Sequence, residues 1–142
     1  MDLSSGIAAF EARNFSQAMA LLAPLAECGQ PEAQYRLAIM RQNGLGVVRA
    51  PALAMKWMRA AADQGLALAH HGLGVMYLHG DCADKDPAQA ANWFKRAAGQ
   101  GLPGACAALG MMHERGEGVE RDTAKAGEWY RLAGLDQEAA DE

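Results

Sequence analysis

The chain has 142 residues, a net charge of −4 and 51% hydrophobic residues, with only three serines and one threonine. One domain of this make-up disfavours strand-rich folds, serine nucleophiles and a nucleic-acid backbone as partner, and it favours helices. Cys28, Cys82 and Cys106 are odd in number and form no CxxC pair, the usage expected of reduced thiols in the cytoplasm. The opening "MDLSSGIAAFEARN" has neither a basic start nor a long apolar run, so no signal peptide is expected. The uncharged stretch from Gln64 to Gly80 is broken by three histidines and four glycines and does not read as a membrane span. A cytoplasmic location follows as the expectation.

The first predicted element is a helical hairpin over residues 3–30. Its loop is contracted to Arg13-Asn14, with Asn14 as N-cap and Gln17 three positions on, and Pro24 is expected to kink its second helix. From Pro31 onward the chain repeats itself. "KWMRAAADQGL" (Lys56 to Leu66) and "NWFKRAAGQGL" (Asn92 to Leu102) lie 36 positions apart, and "EWYRLAGLDQE" from Glu128 is a looser third copy. The same offset aligns Ala33, Ala69 and Ala105; Leu37, Leu73 and Leu109; Met40, Met76 and Met112; and Trp57, Trp93 and Trp129. A period in this range means stacked units, none of which can bury its apolar face alone.

Three further hairpins are therefore predicted over 31–66, 67–102 and 103–138, beside the shorter one at 3–30. Within each, apolar residues recur at helical spacing, as Ala69, Leu73, Met76 and Tyr77 do. Pro31 and Pro103 restart first helices. Asp86 and Asp122 are expected to cap second helices, which Gly65 and Gly101 then end in left-handed backbone. Ala50 stands where a capping aspartate would. The tryptophans, set between alanines, read as the large packing knobs of the second helices.

These motifs, above all "LGMMHERGEGVERDTAKAGEWYRLA" from Leu109 to Ala133, together with "LGVMYLHG" and "KDPAQAANWFKRAAGQG", resemble the Sel-1-like repeat family, a relative of tetratricopeptide repeats. The first hairpin resembles a tetratricopeptide unit. The resemblance implies an all-α fold, a right-handed α/α solenoid or superhelix of four helical hairpins, whose first helices line the concave side. It also implies an adaptor or scaffold that assembles other proteins. The chain departs from the family pattern at Arg41 and His113, where Tyr77 keeps a tyrosine. A looser inner seam is expected in those two units. Cys82-Ala83 replaces glycine-valine, and the cysteine pairs of some secreted relatives are missing.

Chemistry finds little support in the residues. "GLGVVR" and "GEGVER" follow helices and lack a third glycine, so they read as turns rather than phosphate cradles. "DCADKD" lacks the spacing of a calcium loop. His79, Cys82 and His113 are the residues a metal site would draw on, but no i, i+4 pair supports one. The expectation is no metal, no cofactor and no catalytic residue; the alternative is a metal-dependent or hydrolytic enzyme using the histidines and cysteines.

What remains is recognition. Beside the core stripe, helical spacing places Tyr35, Ile39, Gln42 and Asn43 of the first full repeat in a concave groove. His71, Val75, Leu78 and His79 come from the second repeat, and Ala107, Met111, Glu114 and Arg115 from the third. That mixture suits a peptide or helix of another protein better than nucleic acid or membrane. The last helix, with Trp129, Tyr130 and Leu132, is followed by a brief acidic end in place of a capping unit. A homodimer through that end, or a self-assembling structural unit, is a further expectation.

Overall fold

The computed structural model describes residues 2–135, and among them are eight α-helices and no strand. They run α1 Leu3–Glu11, α2 Phe15–Glu27, α3 Pro31–Asn43, α4 Pro51–Asp63, α5 Ala67–His79, α6 Pro87–Gly99, α7 Pro103–Arg115 and α8 Thr123–Leu132. The fold is an all-α repeat solenoid. Its chain divides into two units, residues 1–69 and 70–142, with the division inside α5.

Local chemistry sets the helix ends. The carboxylates of Asp86 and Asp122 accept the backbone N–H groups of Gln89 and Lys125, each at 3.1 Å, and the Asn14 side chain accepts that of Gln17 at 3.5 Å. Ala50 has the same extended backbone before α4 and offers no cap. Two caps were missed in the sequence: Asp2 accepts from Ser4 at 3.0 Å and Gln30 from Glu32 at 3.2 Å. Second helices end alike. Gly65 and Gly101 take φ of +87° and +86°, and the following Leu66 and Leu102 N–H groups reach back to Ala61 and Ala97 carbonyls at 3.4 and 3.2 Å. These are Schellman closures, which a residue with a Cβ would strain. Helix α2 continues through Pro24 as far as Glu27.

In unit 1, Ala9, Ala18, Leu22, Ala26, Ala33, Leu37 and Met40 form a buried cluster, with Phe10, Phe15 and Trp57 against its margin. In unit 2, Leu78, Ala90, Ala91, Phe94, Ala97, Ala105, Leu109 and Met112 form another, with Val75, Met111 and Trp129 packed on it. The tryptophans pack on the core, as the sequence suggested, with Trp93 buried in it, but the side chain that enters the first helix is the residue after each. A Cβ on Gly74 would lie 2.6 Å from the Phe94 ring, one on Gly110 2.7 Å from Tyr130, and one on Gly6 2.5 Å from Leu22. Each first helix thus provides a glycine-sized hole for the side chain that its own second helix inserts; Ala38 and Met58, both buried, hold the same positions in the second hairpin.

Polar side chains pair across the first two full repeats. Gln34 donates to the Ala26 carbonyl at 3.1 Å and accepts from Gln64 at 2.9 Å. One period on, His70 Nδ1 lies 2.7 Å from Gln100 Oε1, and its ring tilts against Trp93. At Arg41 and His113, where a looser seam is expected, both side chains turn to the glycine loop. Arg41 donates to the Val48 carbonyl at 3.1 Å, and buried His113 places Nδ1 3.1 Å from the Glu120 carbonyl. Both side chains reach across the glycine loop and tie it to the first helix. Among the described residues no helix is long and apolar enough to cross a membrane.

Candidate interaction surface

On unit 1, α3 carries all four expected groove residues. Tyr35 is half-buried, its ring 5.8 Å from the Arg36 guanidinium, and burial raises its hydroxyl pKa above the ordinary value. Ile39 and Gln42 are half-buried, while Asn43 is exposed and folds back to donate to the Ile39 carbonyl at 3.0 Å. Arg36 was not anticipated. It lies over both Phe10 and Tyr35, 5.8 Å from each ring, with Nη1 donating to the Glu32 carbonyl and Nε buried without a partner. Nothing in the repeat pattern marks it, because its cation–π contacts depend on Phe10 of a different hairpin.

On unit 2, α5 and α7 supply the rest. His71 is half-buried, edge-on to Phe94 with ring centroids 5.4 Å apart, and burial lowers its pKa, so the imidazole is neutral at pH 7. Val75 and Met111 pack one side on the core and remain half-open; Ala107 is also half-buried, and His79, Glu114 and Arg115 are exposed. Leu78 does not belong to the surface. It is 5% exposed and part of the unit 2 core. The reason is geometric: α5 is covered by both α6 and α7, so its buried arc is wider than one amphipathic stripe. Glu114 is partly committed, accepting from the Tyr130 hydroxyl at 3.3 Å, while its carbonyl accepts from Arg121 at 3.2 Å.

At the last helix, Trp129 is packed on the core and Tyr130 drops over Gly110; of the three residues expected there, Leu132 is the open one, at 68%. The acidic end beyond it, and the part of the last hairpin from 136 to 138, lie outside the described residues. Among the described residues no group of three His, Cys, Asp or Glu side chains could hold a metal ion, so His79, Cys82 and His113 do not form one.

The helical repeats just described match a known sequence profile. The Sel1 repeat is found at residues 31–66, 67–102 and 103–135. The chain belongs to the Sel1 repeat family. Among solved structures, the Sel1 repeat protein of Oxalobacter formigenes is 30% identical with a TM-score of 0.85, over 98% of this chain and 58% of that one. A protective antigen of uropathogenic Escherichia coli displaying the same type of repeat fold is 39% identical with a TM-score of 0.79, over 82% of this chain and 25% of that one. Cysteine-rich protein B of Helicobacter pylori shares the fold at 18% identity and a TM-score of 0.67, over 90% of this chain and 93% of that one. The chain therefore spans a quarter and somewhat over half of the first two relatives. No curated protein matches it. Sel1-repeat proteins are generally protein-interaction modules, and the fold is typically a non-enzymatic scaffold.

Proposed function

We propose that this Sel1-repeat chain is an adaptor whose first-helix faces receive a peptide or helix of another protein. The observation that supports it best is on unit 2. There Val75 and Met111 are half-open apolar side chains set among His71, His79 and Arg115, on helices already fixed by the core beneath. A pre-formed face of this kind loses little conformational freedom on binding, and a few apolar anchors can supply most of the affinity. Tyr35 and Ile39 offer the corresponding anchors on unit 1.

The test is capture of partners from native lysate by the wild type, by His79→Glu/Arg115→Glu and by Tyr35→Ala. The altered side chains are exposed or half-exposed, so circular dichroism should show the helices unchanged. A protein retained by the wild type and lost with the unit 2 variant would support the reading and identify the pathway. Equal capture by all three would sink it.

A further inference from the structure

A second feature lies on the second helices, away from the first-helix faces. Between α6 and α8 is a cleft of ≈ 380 Å³ walled by Trp129 and Leu132, with His113 beneath and Lys95, Lys125 and Glu128 around it. A hollow of ≈ 390 Å³ continues from the same Lys95, His113 and Lys125 toward Glu120, Arg121 and Asp122. Both lysines are exposed, and among the described residues neither ammonium has an ion-pair or hydrogen-bond partner. In the cleft itself the two lysines face one acid, Glu128; the outer hollow adds Arg121 on the basic side and Glu120 and Asp122 on the acidic side. His113 Nδ1 faces a carbonyl, which can only accept, so Nδ1 carries the hydrogen.

The repeat supplies an internal control. Two periods earlier, unit 1 has a cleft of ≈ 210 Å³ at the same register, with Trp57 as its wall and Arg41 in the place of His113. There Ala23 and Leu53 stand where Lys95 and Lys125 stand in unit 2. The tryptophan is common to both clefts, whereas the cations are placed differently: Arg41 and Lys56 beside Glu27 in unit 1, Lys95 and Lys125 beside Glu128 in unit 2.

We propose that the α6–α8 cleft binds an acidic segment of a partner protein. A carboxylate side chain lies between Lys95 and Lys125, and an adjacent leucine-sized side chain packs against Trp129 and Leu132. Charge complementarity at the rim and an aromatic wall behind it are the two halves of that recognition. The inference is independent of the first-helix faces, and its test separates the two.

The measurement is fluorescence anisotropy of a labelled heptapeptide of alternating glutamate and leucine, titrated with the full chain. The dissociation constant should rise about tenfold or more in Lys95→Glu/Lys125→Glu, and by a smaller factor in Lys95→Ala/Lys125→Ala, which guards against a fold defect from reversed charge. It should also weaken as salt is raised from about 0.05 to about 0.5 M, and be unchanged in Arg115→Glu on the first-helix face. Equal affinity in the charge-reversed variant, or equal binding of a lysine–leucine peptide, would overturn the proposal. So would an absence of binding at about millimolar protein. Binding that appears only when residues 136–142 are deleted would assign the cleft to the chain's own acidic end. A mass that doubles with concentration in the wild type but not in Leu132→Glu would assign it to a second copy. Either result overturns the partner reading.

Discussion

Cys82 occupies a position where the other two repeats carry glycine, and it takes the same backbone conformation. Its φ is +65°, against +71° at Gly46 and +74° at Gly118. A side chain in this region crowds its own carbonyl, at a cost of about 1–3 kcal/mol where the surrounding structure enforces it. One contact that offsets part of it is weak: the thiol lies 3.6 Å from Asp81 Oδ1. Cys82→Gly should remove the strain while giving the unfolded chain some extra freedom, a loss of roughly 0.5–1 kcal/mol. The net expectation is a gain of up to about 2 kcal/mol, read as a higher urea midpoint with unchanged slope. An unaltered or lower midpoint would show that the contacts of Cys82 outweigh its backbone strain. The substitution of glycine-valine by Cys82-Ala83 was legible in the sequence; that the loop holds its left-handed turn regardless was not, because tertiary packing and not local preference imposes it.

Helix termini were the most legible elements, since caps and closing glycines act through neighbouring residues. Asp86 and Asp122 cap as expected, and the one repeat without a capping side chain, at Ala50, is a natural vacancy in the pattern. Ala50 has φ −142° and ψ 90°, close to −149° and 84° at Asp86 and −155° and 101° at Asp122. An aspartate there needs no backbone change to reach the free N–H of Leu53. Ala50→Asp should therefore stabilise α4 by about 1 kcal/mol, measurable by thermal or denaturant unfolding. A gain below about 0.3 kcal/mol would mean that the carboxylate points away from the helix. Packing across helices was less legible. The identical tryptophans drew attention as knobs, whereas the place opposite the small residue of the first helix is held by the variable residue after them, Met58, Phe94 and Tyr130, and by Leu22 in the first hairpin. Volume is matched to the glycine or alanine opposite, so the position tolerates a change of residue that a search for identity overlooks. Leu78 was misplaced for a related reason. Spacing along one helix cannot tell how many neighbours cover it.

At the scale of the molecule, each unit carries its own buried cluster, and most helix–helix contacts join elements adjacent in sequence. A repeat protein of this kind has stability that is a sum of local and nearest-neighbour terms rather than one indivisible quantity. Phe94 is the sharpest probe of that. It is 1% exposed, fills the hole at Gly74 and holds the ring of His71. Phe94→Ala should cost unit 2 about 3–5 kcal/mol, because the glycine opposite has no side chain with which to collapse into the cavity. If each cluster is stable by itself, native-state hydrogen exchange will show that loss of protection in α6, α7 and α8. Helices α1, α2 and α3 will keep most of theirs. Equal loss throughout would make the chain one cooperative unit. The distinction bears on function: a partner held on unit 2 would then protect only the helices that carry its binding face, or the whole chain at once.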